Sequence, residues 1–175
     1  PFGPHCGVIE TPAAGLGGTA FLSCWPTEPA ELNSCQTSRF FGFDSFQGLP
    51  ENWDSVYGKV SQGTFDKKGE IPMASDCRIE FIKGLFQRSL RPFLHKYNRK
   101  GKIVVHLDCD IYSSTLYCLT TMDAHLPGKS ILIFDEFYST SHEFQAFMDY
   151  SKSHRRESTV LAATTDYEQV AIMLQ

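Results

Sequence analysis

The sequence has no closely spaced cysteine pair, no long apolar run and no excess of basic residues. Its six cysteines never form a C-x-x-C pair, so they favour neither a zinc ribbon nor a thioredoxin-like redox site. No stretch approaches the roughly 20 apolar residues of a membrane helix, and the N-terminus lacks the features of a signal peptide. Sixteen Lys and Arg against twenty Asp and Glu leave a net charge of -4, which argues against nucleic-acid binding. We therefore expect a cytoplasmic protein that binds neither membranes nor nucleic acids.

The composition indicates one folded domain preceded by an unusual segment. The 175 residues are about the length of one domain, and 42% hydrophobic residues suffice for a core. Prolines and a glycine cluster interrupt residues 1–38, which predicts loop with one short strand near residues 19–24. We divide the chain into an irregular segment, residues 1–38, and an α/β domain, residues 39–175; the first is a candidate remnant of a cofactor-binding unit.

In residues 39–175, strand patterns alternate with helix patterns. Apolar runs at residues 103–108 and 130–135 are typical of central parallel strands. An aromatic strand is predicted at residues 39–44, followed by a long loop over 45–69 and a weaker strand at 78–82. Helices are predicted after Gly84 with a restart at Pro92, over residues 113–126 with a serine cap, and from the capping box Thr140-x-x-Glu143. Strands at 158–163 and 168–174 form a closing antiparallel hairpin, so we predict an α/β fold with a mainly parallel sheet.

Acidic residues end three of the predicted strands. Ligands of open α/β sheets bind beyond the carboxyl ends of the strands, where the fold would gather these side chains. Like charges that meet there repel unless a cation or ligand hydroxyls compensate them, and Mg²⁺ takes a few carboxylate oxygens and keeps several waters. Helix caps and solvated turns are the alternative explanation for acids at these positions. The strand-end residues are Asp44, Asp108 and Asp135, with Asp110 and Glu136 just beyond.

Other polar residues near these strand ends have both functional and structural interpretations. Asp44, which closes an early strand, could accept hydrogen bonds from the two hydroxyls of a ribose, or could be a turn residue. His106 lies within an apolar strand, which favours a hydrogen-bonded core histidine. His142 could line the site or simply start a helix, and Tyr112 with the hydroxyl residues after it could contact substrate or cap a helix.

Several motifs, in this order, resemble those of the macrocin O-methyltransferase family. The resemblance covers the chain from about residue 39 to its end, and five ordered motifs are far more specific than any one of them. The family consists of class I enzymes that use S-adenosylmethionine and a divalent metal to methylate hydroxyls, notably on sugars of natural products. The motifs are residues 42–50 (GFDSFQGLP), 63–65 (GTF), 106–115 (HLDCDIYSST), 134–136 (FDE) and 142–147 (HEFQAF).

The resemblance implies a Rossmann-like sheet with helices on both faces and a role for each matching residue. Asp44 would bind the adenosyl ribose, and we assign Ser45 and Gly84 to the same cofactor site. The metal, Mg²⁺ or another divalent cation, would be held by Asp108, Asp135 and Glu136. Asp108 would also be the catalytic base, and the neighbours that would orient the site or contact substrate are Asp110, Tyr112 and His142.

The resemblance weakens at the front of the chain, and two other functions stay open. Family members carry an upstream strand and glycine-rich turn for the methionine part of the cofactor, which Cys6-Gly7-Val8 matches only faintly. We therefore expect an atypical or truncated N-terminal part. A non-catalytic methyltransferase-like module is one alternative, and a glycosyltransferase that uses Asp108-Cys109-Asp110 as a D-x-D metal motif is the other. The expected partner is a small hydroxylated acceptor, and a homo-oligomer stays open.

Overall fold

A seven-stranded mixed sheet forms the centre of the protein. The computed structural model describes residues 39–74, 76–97 and 102–175 in full and the backbone of residues 5–11. The sheet has the order β5-β2-β1-β6-β7-β9-β8, and a short hairpin of β3 and β4 stands apart from it. The strands are β1 His5–Thr11, β2 Arg39–Asp44, β3 Trp53–Ser55, β4 Gly58–Val60, β5 Ile79–Lys83, β6 Lys102–Asp108, β7 Ile131–Phe134, β8 Ser158–Ala163 and β9 Val170–Leu174.

Strand directions confirm part of the predicted sheet and correct the rest. The β2–β5 and β6–β7 pairs are parallel, whereas β1 is antiparallel to both of its neighbours and β9 is antiparallel to β7 and β8. Five strands therefore share one direction, but only two of the six pairings are parallel. The closing β8–β9 hairpin is confirmed. Antiparallel pairing by β1 and β9 makes the sheet mixed instead of mainly parallel.

The N-terminal segment contributes a strand that the sequence did not predict. β1 lies between β2 and β6 and pairs with each over its length. Gly7 and the polar residues of β1 break the apolar alternation that predicts a strand. Pairing with β2 and β6 stabilises β1 despite its weak strand propensity. The strand predicted near residues 19–24 and the glycine cluster at 15–18 lie outside the described residues.

The three described α-helices pack on one face of the sheet. They are α1 Phe86–Lys96, α2 Tyr112–Met122 and α3 Glu143–His154, and a 3₁₀ turn, Asp123–His125, extends α2. Their buried side chains join one core with alternate residues of β6, such as Val105 and Leu107. On the opposite face, Val104, Ile133 and Ala171 form a separate cluster that contains no residue of a described helix. The predicted layout with helices on both faces is thus only partly present. None of the described helices has the length and apolar character to cross a membrane.

Local predictions fail where tertiary contacts replace local ones. The predicted loop over residues 45–69 contains the β3–β4 hairpin, in which Trp53 pairs with Val60. Pro92 lies within α1 and does not restart it, because Leu90 and Leu94 hold both sides of the proline in the core. α2 begins after Ile111 without a serine cap. The capping box is also wrong, since α3 begins at Glu143, whose carboxylate bonds to other elements.

Candidate active site at the carboxyl ends of the strands

Strand register brings the metal-site candidates together. Leu107 in β6 pairs with Phe134 in β7, so the next residues along the two parallel strands, Asp108 and Asp135, leave the sheet side by side. Neighbouring strands lie about 4.8 Å apart, a distance that two carboxylates can span. The N–H of Asp135 donates to the carbonyl of Leu107 at 3.0 Å and continues the pairing to the edge of the sheet.

Three carboxylates have the arrangement of a metal site. Ligand oxygens of Asp108, Asp135 and Glu136 all lie within 4.8 Å of one another. Asp135 also accepts a hydrogen bond from Nε2 of Gln169 at 2.6 Å, and Nε2 of His106 lies 3.8 Å from its Oδ1. In the described part of the chain, Oε2 of Glu136 is buried and accepts no hydrogen bond. A buried acceptor without a donor is costly, and a cation would satisfy it.

Burial and crowding raise the pKa values of these carboxyls. Burial, with the charge of Glu136 next in importance, raises the pKa of Asp108 well above its usual range. The pKa of Glu136 rises to about 10 through burial and the charge of Glu143, and that of Asp110 to about 7 through burial and the charge of Asp135. A divalent cation would favour the ionised forms and remove the repulsion.

Glu143 connects the two acidic strand ends through hydrogen bonds. It is fully buried at the start of α3. Its Oε1 accepts a hydrogen bond from the N–H of Cys109 at 3.0 Å, and its Oε2 accepts one from the N–H of Glu136 at 3.0 Å. The pKa of Glu143 is raised to about 8 by burial, while the two backbone donors act in the opposite direction. Sequence reasoning assigned this residue to a helix cap and missed the bridge, because its donors are 34 and 7 residues away.

The predicted cofactor residues gather at the ends of β2 and β5. The carbonyl of Asp44 accepts from the N–H of Gly84 at 2.9 Å, and its Oδ1 accepts from the N–H of Phe46 at 2.7 Å. Burial raises the pKa of Asp44 to about 6, against the hydrogen bonds from the following backbone. Ser45 and Gly84 line a shallow, solvent-open cleft together with Phe86. Two of the three assigned residues therefore line one cleft, and Asp44 lies next to Ser45 at the end of β2.

β1 separates the two acidic groups along the edge of the sheet. Cys6 of β1 pairs with Phe43 on one side and with Leu107 on the other, so Asp44 and Asp108 leave the sheet at the same level. Two strand spacings put their backbones roughly 10 Å apart. A ligand held by Asp44 could thus extend along the edge to the carboxylates of β6 and β7.

The remaining predicted residues lie around the acidic group in structural contacts. Asp110 is buried and has a φ of 58°, at a tight turn in which Ile111 N–H donates to the carbonyl of Cys109 at 2.6 Å. The hydroxyl of Tyr112 donates to Asp149 at 3.0 Å. Nδ1 of His142 accepts from the N–H of Tyr112 at 3.3 Å, and its Nε2 lies 3.2 Å from the carbonyl of Asp54. Both nitrogens of His142 thus contact backbone, and the ring connects β3 to α2.

An aromatic pair beside the acidic group was not predicted. The rings of Tyr57, at the tip of the β3–β4 hairpin, and Tyr138 have centroids 6.1 Å apart. Tyr57 is 83% exposed, and Tyr138 is half-buried. Burial and the neighbouring Tyr57 and Glu136 raise the pKa of Tyr138. The pair lies 81 residues apart in sequence, so no local pattern could reveal it.

Solved methyltransferase structures resemble this fold. No protein-family model and no curated protein matches the sequence. The crystal structure of CalS11, a calicheamicin methyltransferase, is 20% identical with a TM-score of 0.57 and covers 76% of this chain and 59% of its own. The O-methyltransferase NovP is 18% identical with a TM-score of 0.53 and covers 75% of this chain and 57% of its own. The chain thus spans less than two thirds of the length of either structure. It has the fold of these methyltransferases.

Proposed function

We propose that the protein is a metal-dependent O-methyltransferase that moves a methyl group from S-adenosylmethionine to a hydroxyl of a small molecule. The observation that carries the proposal is the convergence of Asp108, Asp135 and Glu136 at the edge of a methyltransferase fold. The motif resemblance to the macrocin O-methyltransferase family supports the same activity. A sugar or a glycosylated natural product is the proposed acceptor class.

The residues present fit a hard divalent cation such as Mg²⁺. Asp108, Asp135 and Glu136 would hold it, and the buried, unbonded Oε2 of Glu136 is aligned with that role. When bound, the cation would lower the pKa of an acceptor hydroxyl and make its oxygen a better nucleophile. All three ligands are carboxylates, which suits Mg²⁺ or Mn²⁺ better than softer metals.

Asp108 has the position of a general base. It is the last residue of the buried strand β6, and it faces the other two metal-site carboxylates. In the proposed step it accepts the acceptor's hydroxyl proton while the oxygen forms a bond to the methyl carbon. The bond from that carbon to the sulfonium breaks, and its electron pair remains on sulfur as a neutral thioether. A base placed in this way contributes about 10²–10⁴-fold in rate.

The ends of β2 and β5 would bind the cofactor. Asp44 would accept hydrogen bonds from the ribose hydroxyls, and Ser45 and Gly84 would line the adjoining cleft. Tyr57 and Tyr138 would contact the acceptor, because aromatic rings suit the apolar faces of a sugar. The proposed partner is a small hydroxylated molecule that accepts the methyl group.

Metal-dependent thermal stability tests the metal site. A metal that binds only the folded chain stabilises it by about 2.7 kcal/mol at 100 times its Kd. We expect Mg²⁺ or Mn²⁺ to raise the melting temperature of the parent but not that of Asp135→Asn. Glu80→Gln is the matched control, because it removes an exposed carboxylate from edge strand β5 and should respond like the parent. A parent that does not respond to either metal would contradict the site.

Calorimetric titration separates the proposed function from its two alternatives. We expect S-adenosylhomocysteine to bind and a nucleotide sugar not to bind. The reverse result would support the D-x-D glycosyltransferase, and binding of neither would support a non-catalytic module. The structure favours the first outcome, because Asp108 converges with Asp135 and Glu136 and the described metal cluster does not include Asp110.

A further inference from the structure

We infer that Glu143 is a positioning residue that sets the spacing of the proposed metal ligands. The inference rests on the proposed metal-dependent function. Glu143 lies on α3, which contributes no metal-site carboxylate, yet each of its oxygens accepts a backbone hydrogen bond beside one of the acidic strand ends. One donor follows Asp108 and the other belongs to Glu136.

The two hydrogen bonds connect parts of the chain that strand pairing no longer holds. β6 ends at Asp108 and β7 at Phe134, so Cys109 and Glu136 lie beyond the last residues of their strands. Each carboxylate oxygen of Glu143 accepts a hydrogen bond of 3.0 Å, one from an N–H group of each chain segment. Because each oxygen accepts from a different segment, the two hydrogen bonds restrict the separation of the segments.

Full burial makes this arrangement specific to a carboxylate of glutamate length. Glu143 has 0% exposure, and no water can replace a lost partner without rearrangement. Glutamine has the same shape but offers one acceptor oxygen and one NH₂ group, which would oppose a backbone N–H. Aspartate keeps both oxygens and the charge but is shorter by one methylene, and it cannot reach both donors from the same helix position.

Mn²⁺ binding measured by electron paramagnetic resonance tests the inference without an activity assay. Residues that orient metal ligands typically change affinity by about 10–100-fold when replaced. We expect Glu143→Gln and Glu143→Asp both to weaken Mn²⁺ binding by at least about 10-fold and to broaden the spectrum of the bound ion. Glu80→Gln, which removes an exposed carboxylate from edge strand β5, is the control and should bind like the parent.

The two variants separate positioning from simple charge. If Glu143 acts only through its charge, Glu143→Asp will keep parental affinity and spectrum while Glu143→Gln loses them, and the inference is overturned. Parental binding in both variants overturns it as well and leaves the metal site intact. Failure of the parent to bind Mn²⁺ instead removes the proposed metal function, and the inference falls with it.

Nuclear magnetic resonance of the parent gives a measurement that needs no folded variant. The amide protons of Cys109 and Glu136 should resonate downfield because they donate to a carboxylate, and both should shift together when Mg²⁺ is added. Amides that resonate at ordinary positions and respond to Mg²⁺ independently would overturn the inference.

Discussion

The two halves of the strand edge are built in different ways. The acidic half, at the ends of β6 and β7, consists of partly buried carboxylates whose oxygens lie within 4.8 Å of one another. Glu143 connects the ends of the two strands through hydrogen bonds to their backbone. The open half, at the ends of β2 and β5, has one carboxylate, Asp44, beside a cleft lined by Ser45 and Gly84. Under the proposed function, the acidic half would hold the cation and the base, and the open half would bind the cofactor.

The largest effect should come from the acidic half. Asp108→Asn keeps the shape of the side chain but cannot accept a proton, so methyl transfer to a hydroxylated acceptor should fall by about 10²–10⁴-fold. Cofactor affinity should stay at the parental value because Asp44 lies two strands away. A methyl-transfer assay and a cofactor titration measure the two quantities. Asp110→Asn, two residues further along the chain, is the comparison. If Asp110→Asn loses turnover while Asp108→Asn keeps it, the role of base has been assigned to the wrong carboxylate.

A substitution at Gly48 tests how closely the loop beside the open half is packed. Gly48 has a φ of 74°, and a Cβ there would meet the carbonyl of Thr64 and lie 2.7 Å from the carbonyl of Gly63. Gly63→Ala is the matched control, because Gly63 also has a positive φ but has open space around a Cβ. Positive φ alone costs about 1–2 kcal/mol in free energy of unfolding, and the clash should add about 1–3 kcal/mol for Gly48→Ala. Urea denaturation would contradict this if the two variants lost equal stability.

Cofactor affinity should depend on the open half. Asp44→Ala removes charge-assisted hydrogen bonds to ribose, worth about 1.5–3 kcal/mol of binding free energy. Calorimetry with S-adenosylmethionine measures the loss, and Mn²⁺ affinity is the control that should not change. Parental cofactor affinity in Asp44→Ala would mean that Asp44 only shapes the turn at Phe46.

The smallest effect concerns the pH dependence of stability. Burial raises the pKa of Asp44 to about 6, so the folded chain holds a proton that the unfolded chain releases near pH 4. The parent should therefore lose stability from Asp44 as the pH rises from about 4 to 6. Asp44→Asn removes this titrating group. Between pH 4 and 6 the free energy of unfolding of the variant should therefore rise by about 1–2 kcal/mol relative to that of the parent. Urea denaturation at pH 4.5 and pH 7 measures this difference. An equal change in urea midpoint between the two pH values for both proteins would contradict the raised pKa of Asp44.

Predictions from the sequence succeed where one segment carries its own pattern. Residues 39–44 and 158–163 form strands with the predicted bounds, because aromatic and β-branched residues favour the pleated surface. Asp108, Asp135 and Glu136 meet because a parallel sheet places successive strand ends at one edge. These features need only local composition and a rule of topology.

Predictions fail where a partner distant in sequence decides the structure. β1 has little strand character of its own and is held by pairing with β2 and β6. Glu143 has the pattern of a helix cap, but its carboxylate instead accepts from buried N–H groups of other elements, which need an acceptor. The Tyr57–Tyr138 pair follows from the position of the β3–β4 hairpin.

The amino-acid sequence by itself determined the main strands and helices of residues 39–175 and the carboxylates that end the strands, because periodicity and strand-end chemistry are local properties. Tertiary structure alone decided the direction of β1, the gathering of all described helices on one face, and the separation of the edge into an acidic half and an open half. Those features depend on which buried groups find partners across the fold, and hydrogen bonding and packing between distant segments choose the partners.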